Sequence, residues 1–104
     1  MEHSGTAIVE GFITEDAKLQ RSPKTKNPFI LFSLAINHYS RPGEPGRVSF
    51  VEVEAWEQLA CDNVSLLKKG KKIMVTGRLR QDRWTEDNKT CSRIKLFADK
   101  IKFI

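Results

Sequence analysis

The sequence predicts an all-β domain, five strands curled into a small Greek-key barrel with one short helix between the third and fourth strands. Three observations predict it. Apolar residues recur at alternate positions through most of the chain, the period of a strand with one buried face. Gly- and Pro-bearing turns divide these runs. Only residues 57–69 space their apolar side chains as a helix does. At 104 residues, 39% hydrophobic and 30% charged, residues 1–104 have the size and balance of one globular domain rather than two domains or a disordered chain.

The first strand is Thr6 to Ile13, with Gly11 marking the bend or bulge that a curled barrel needs. A basic loop, Arg21 to Pro28, precedes a long apolar strand, Phe29 to His38, with Phe32, Leu34 and Ile36 facing inward. Tyr39 to Gly46, with two Pro-Gly steps, forms a protruding hairpin loop into the third strand, Arg47 to Trp56. There Val51, Val53 and Ala55 share the inner face, and Phe50, Glu52, Glu54 and Trp56 the outer one. Glu57 to Lys69 forms the helix, closed by basic residues and Gly70. Lys72 to Gln81 is the fourth strand, with Ile73, Val75 and Leu79 inward. Asp82 to Thr90 is a polar loop holding Trp84. Cys91 to Ala98 completes the sheet, with Ile94, Leu96 and Ala98 inward and Arg93, Lys95 and Phe97 outward, and Lys100 to Ile104 extends it. This order of elements is that of an OB-fold.

Charge is distributed unevenly. Residues 1–52 balance six Lys/Arg against six Asp/Glu, whereas residues 53–104 hold twelve against seven, so the whole net charge of +5 lies in the second half. Such an excess suits a polyanion. No run approaches the ~18 apolar residues of a membrane span, and Met1 to Gly5 lacks the regions of a signal peptide, so the expectation is a cytosolic protein without membrane attachment. Cys61 and Cys91, 30 residues apart without further ligands nearby, read as reduced structural thiols. His3 and His38 are too isolated for a metal site or a catalytic dyad. No Gly-rich phosphate cradle and no nucleophile elbow occur, so neither an enzyme nor a bound cofactor or metal is expected. Lys68, Lys69, Lys71 and Lys72 read first as a solvated helix end and second as phosphate contacts.

The aromatic residues carry the functional expectation. Unpaired nucleotides expose flat base faces, so a binder indifferent to sequence needs rings to stack on them and cations to follow the phosphates. Phe50, Trp56 and Trp84 fall on or beside outward surfaces, with Tyr39 as a fourth ring. Arg78, Arg80, Arg83, Arg93 and Lys95 occupy neighbouring outward positions. Core packing is the competing reading for a strand-end Trp such as Trp56, and a merely solvated face the competing reading for the basic strands.

Several segments resemble the bacterial single-stranded DNA-binding protein family. Glu10 to Asp16 is similar to its opening strand and turn, Phe32 to Ile36 to its second strand, and Phe50 to Ala60 to the strand and helix start that supply two stacking aromatics. Leu67 to Arg80, running into Arg83-Trp84-Thr85, is the most specific part. The resemblance extends from about Ile8 to Ile104. It implies sequence-independent binding of single-stranded DNA in replication, recombination and repair. Phe50, Trp56 and Trp84 would stack on bases and Lys/Arg would meet the backbone. It also implies a bacterial, nucleoid-associated homo-oligomer, a tetramer before a dimer, with replication and restart proteins as further partners. The alternative is a dimeric adaptor for replication restart, similar to primosomal replication protein N. Three departures stand out: Ser40 occupies the position of a family aromatic, Glu52 and Glu54 share the face of Phe50 and Trp56, and the family's acidic tail has no counterpart before Phe103-Ile104. A tail-less or truncated member is the expectation.

Overall fold

A computed structural model describes residues 5–38, 41–44 and 46–104. Its elements, in chain order, are β1 (Thr6–Ile13), β2 (Lys18–Arg21), β3 (Pro28–His38), β4 (Arg47–Trp56), α1 (Glu57–Asn63), β5 (Lys72–Glu86) and β6 (Lys89–Phe103). The sheet runs β1-β5-β6-β4-β3-β2, and β1 also pairs with β3. That second pairing closes the sheet on itself: residues 6–12 of β1 lie along β5, while Phe12 and Ile13 cross to Ala35 and Leu34 of β3. Gly11 sits where β1 changes partners, and a Cβ there would stand 2.7 Å from the Ala35 carbonyl oxygen. The fold is thus the predicted all-β one. The helix falls between β4 and β5 only because a short strand, β2, adds one to the count. β2 is exposed throughout and pairs with β3 alone, so no buried alternation marks it in the sequence.

The core is Ile13, Ile30, Leu34, Val53, Ala55, Ala60, Leu67, Ile73, Val75 and Leu96, with Ala17, Phe32 and Ala98 at its edge. All but Ala17, Ala60 and Leu67 come from alternate positions of five strands, and α1 with the turn after it closes one end. The helix is shorter than the expected 57–69. It caps at Val64, and a series of turns carries the chain to Gly70, whose φ of +89° suits glycine. Its last turn holds no basic residue, so Lys68 and Lys69 are not complements to a helix dipole. Instead Asp16 ties this segment to the β1–β2 turn, accepting the Lys69 backbone N–H at 2.8 Å.

The largest correction concerns residues 82–90. They do not form a loop: β5 and β6 are each 15 residues long and pair from Ile73↔Phe103 to Glu86↔Lys89. Asp87 and Asn88 form the two-residue turn with φ of +50° and +62°, the mirror-image turn whose twist matches that of a hairpin. The polar composition of this segment reflects a ribbon that runs beyond the barrel, with solvent on both faces. For the same reason Leu79 and Ile94, expected inside, are 53% and 61% exposed. Pairing with β1 ends at Thr6↔Arg78, so past that point β5 keeps only β6 beside it and Leu79 is left open on its other edge. Cys61 is exposed and Cys91 half-buried, both free thiols, and neither belongs to the core.

Candidate nucleic-acid interface

Register decides which side chains share the outer face. In β4, Glu52 and Glu54 lie beside Lys95 and Phe97 of β6. In the hairpin, Phe97, Lys95, Arg93 and Cys91 stand opposite Arg78, Arg80, Asp82 and Trp84. Since paired residues point to the same side, one face displays Phe50, Trp56, Phe97 and Trp84 together with Arg78, Arg80, Arg93 and Lys95. Arg83 is the exception. It pairs with Ser92 on the opposite face of the ribbon and reaches Gln81 Oε1 at 3.2 Å, which removes it from the expected group. Tyr39 and Ser40 lie outside the described residues.

The rings differ in setting. Phe50 is 70% exposed, near the start of β4 where Ala35 is its neighbour, so nothing bulky covers it. Trp84 is 40% exposed on the ribbon, with the Arg93 guanidinium 5.6 Å from its ring centre and its Nε1–H donated to Glu86. Trp56 is half-buried. One ring face stacks on Phe29 at 4.6 Å and 22°, and its Nε1–H donates to Glu54 Oε2 at 2.6 Å. Packing and display therefore coexist in Trp56, because Phe29 and Glu54 fix the plane of the ring. Phe97 was placed outward by alternation but not counted as a platform. The guanidiniums of Arg80 and Arg78 lie 5.3 Å and 5.7 Å from its centroid. The signal that could have found it is its alternation with Lys95 and Arg93, a cation–ring–cation order on one face.

The carboxylates explain how this face tolerates acids. Glu54 is 6% exposed rather than outward and solvated. Its oxygens accept from Trp56, from Arg80 at 3.4 Å and from Lys95 at 3.4 Å. Asp82 forms ion pairs with Arg80 at 3.3 Å and Lys95 at 3.5 Å, and Glu52 with Arg93 at 3.5 Å. Three acids and three bases thus form a neutral lattice between the rings. Arg78 is bridged to Asp99 at 3.4 Å. Among the described residues no ion pair involves Lys89, Lys100 or Lys102, which all lie on β6.

Among the described residues no group of three or more His, Cys, Asp or Glu could hold a metal ion, and no helix is long and apolar enough to cross a membrane.

Comparison with known proteins follows the same lines. A model of the single-strand binding protein family matches residues 5–104. A single-stranded DNA-binding protein of Thermus aquaticus is 37% identical over 81 residues, covering 78% of this chain and 30% of that protein. One from Aquifex aeolicus is 30% identical over 100 residues, covering 93% of this chain and 67% of that protein. The chain spans between 30% and 67% of the length of these relatives. Among solved structures, a Plasmodium falciparum SSB complex with ssDNA superposes with a TM-score of 0.85 at 15% identity, covering 100% of this chain and 97% of that one. A small single-stranded DNA-binding protein from Streptomyces coelicolor gives 0.79 at 19%, covering 95% and 93%. At such identities these two matches speak for the OB-fold, whereas the family model covers nearly every residue of the sequence. On that match, the chain belongs to the single-strand binding protein family.

Proposed function

We propose that residues 1–104 act as one nucleic-acid-binding domain that holds single-stranded DNA, largely independently of sequence, on the outer face of β4, β5 and β6, without catalysing a reaction. The observation that carries this reading is the register: Phe50, Trp56 and Trp84 share one face with Arg and Lys while the opposite face of the same strands supplies the core. Bases would stack on the rings, each contributing about 1–3 kcal/mol in proteins of this kind, single-strand-binding OB-folds included. Phosphates would be met by Arg78, Lys89, Lys100 and Lys102, and by Arg80, Arg93 and Lys95 as they exchange carboxylate for phosphate. The reading extends to a role in replication, recombination and repair within the bacterial cytoplasm, with the chain assembled as a homo-oligomer.

Titration with oligo-dT, followed by Trp fluorescence at two salt concentrations, tests it. Binding should quench the fluorescence and weaken as salt rises. Trp84→Ala should lower affinity about tenfold or more, the equivalent of one lost stacking platform. Unchanged affinity in that variant would refute the assignment. Native mass on the same sample separates a tetramer from a dimer; a dimer with feeble DNA affinity would favour the replication-restart adaptor.

A further inference from the structure

Two guanidiniums and one ring meet on the outer face where β4, β6 and β5 run side by side. Phe97 is level with Glu54 of β4 on one side and with Arg78 of β5 on the other, so its ring stands inside the face rather than at a rim. Its neighbours in sequence, Leu96 and Ala98, belong to the core, which leaves Phe97 half-buried and directed to the other side of the sheet. Arg80 and Arg78 lie over that ring at 5.3 Å and 5.7 Å from its centroid. The register shift between Thr76 and Gly77 contributes to the arrangement. It pairs Gly77 with Ala98 and Thr76 with Lys100, and the residue left over on β6, Asp99, accepts from Arg78 Nη2 at 3.4 Å.

A long cationic side chain on a sheet surface samples many rotamers, and fixing one of them on binding a phosphate lowers affinity. A ring beneath the cation removes part of that loss in advance. It attracts the guanidinium through its quadrupole, and in the stacked arrangement that arginine favours the N–H donors stay free at the edges. Ring and phosphate can therefore hold one arginine together, whereas carboxylate and phosphate compete for it. Among the described residues the carboxylates engage Nη2 of Arg78, at Asp99, and Nη2 and Nε of Arg80, at Glu54 and Asp82. Both guanidiniums are about half in solvent, so these pairs are weak and exchange readily. The ring contact has no charge to exchange and persists.

We propose that Phe97 is a positioning residue for single-stranded DNA: its ring keeps Arg78 and Arg80 in place on the outer face as they pass from carboxylate to phosphate. The role rests on the single-strand-binding reading above and adds to it a residue that need touch no nucleotide. The test titrates oligo-dT at one salt concentration into wild type, Phe97→Leu and Phe97→Tyr, and repeats the Phe97→Leu comparison in an Arg78→Ala/Arg80→Ala background. Each variant is melted first, so that affinities are compared between folded proteins. Leu keeps apolar bulk without the ring and should weaken binding about five- to tenfold, the equivalent of two exposed cation–ring contacts. Tyr keeps the ring and should restore affinity to within about twofold of wild type. In the background without the two arginines Phe97→Leu should weaken binding by less than about twofold, because nothing is left to position. A ring that stacked on bases itself, or only packed the ribbon, would give the same loss in both backgrounds, and that result would overturn the proposal. Wild-type affinity in Phe97→Leu would overturn it too, and either result leaves general binding intact. Failure of the wild-type protein to bind oligo-dT would overturn the general reading and this role with it.

Discussion

Replacing Glu54 by Ala should weaken the fold and sharpen the salt dependence of DNA binding together. The carboxylate is nearly buried and accepts three hydrogen bonds, of unequal worth. The 2.6 Å bond from the Trp56 indole is short and partly shielded from water, and a hydrogen bond to a charged acceptor contributes about 1.5–3 kcal/mol. The bond to Arg80 is 3.4 Å long with nearly half of that side chain in solvent, so its share is close to nil. Lys95 is better shielded but keeps Asp82 as a partner at 3.5 Å. The expected loss is therefore about 2–3 kcal/mol, which for a domain of this size lowers the melting temperature by roughly 10–20 °C. At the same time the face gains one positive charge. Arg80 and Lys95, then sharing Asp82 alone, are in net excess of charge and can meet phosphate, and each added contact steepens the slope of log K against log salt by about 0.7. Thermal melting by circular dichroism and oligo-dT titration over a salt series measure the two effects. Glu54→Gln separates them: its amide oxygen can still accept from Trp56, so it should retain more of the melting temperature while the slope steepens as in the Ala variant. A melting temperature within about 2 °C of wild type, with an unchanged slope, would refute the role assigned to this carboxylate.

Two further predictions concern the ribbon that carries half of the face. Gly77 lies at the register shift between Thr76 and Gly77, where a Cβ would land on the Phe97 carbonyl oxygen, a backbone atom that cannot rotate away. Gly77→Ala should therefore destabilise by at least about 3 kcal/mol in urea unfolding, whereas a loss under 1 kcal/mol would mean that the strands part easily there. Asn88 holds a φ of +62° in the hairpin turn. Asn88→Gly should raise the urea midpoint by the equivalent of a few tenths to about 1 kcal/mol and leave DNA affinity unchanged; a lower midpoint would show that the Asn side chain, not the turn conformation, is what matters.

What could be seen in the sequence divides along a physical line. β1 and β4 were legible to the residue, because burial alternates along β1 and because Val51, Val53 and Ala55 of β4 fall at alternate positions against the core, although Glu54 between them is buried as well. β2 was not, since four exposed residues paired along one edge leave no alternation to find. The β5–β6 ribbon misled for a related reason. Its alternation persists past Leu79 and Ile94, but the barrel that gives alternation its meaning ends at Arg78, so apolar residues there face water and polar ones were taken for a loop. The rings Phe50, Trp56 and Trp84 were found because aromatic residues on a polar face are conspicuous. The pairing of Glu54 with Arg80 and Lys95 could not be found, because it joins three strands at separations of 26 and 41 residues, and only the parallel pairing of β4 with β6 brings them together.

That pairing changes what the net charge means for binding. A tally of the basic residues on β5 and β6 suggests a strongly positive groove, yet Glu52, Glu54 and Asp82 neutralise Arg80, Arg93 and Lys95 where the rings stand. Attraction at long range is left to residues such as Lys89, Lys100 and Lys102 along β6, and the centre of the face is left to stacking. Charge then brings a strand to the surface, and the rings decide how long it stays. On this division, a Lys substitution along β6 should alter mainly the association rate and the salt slope, whereas loss of Trp84 should alter mainly dissociation. Stopped-flow measurements of Lys100→Ala beside Trp84→Ala distinguish the two; equal effects on both rates in both variants would mean that charge and stacking are not separated in this way.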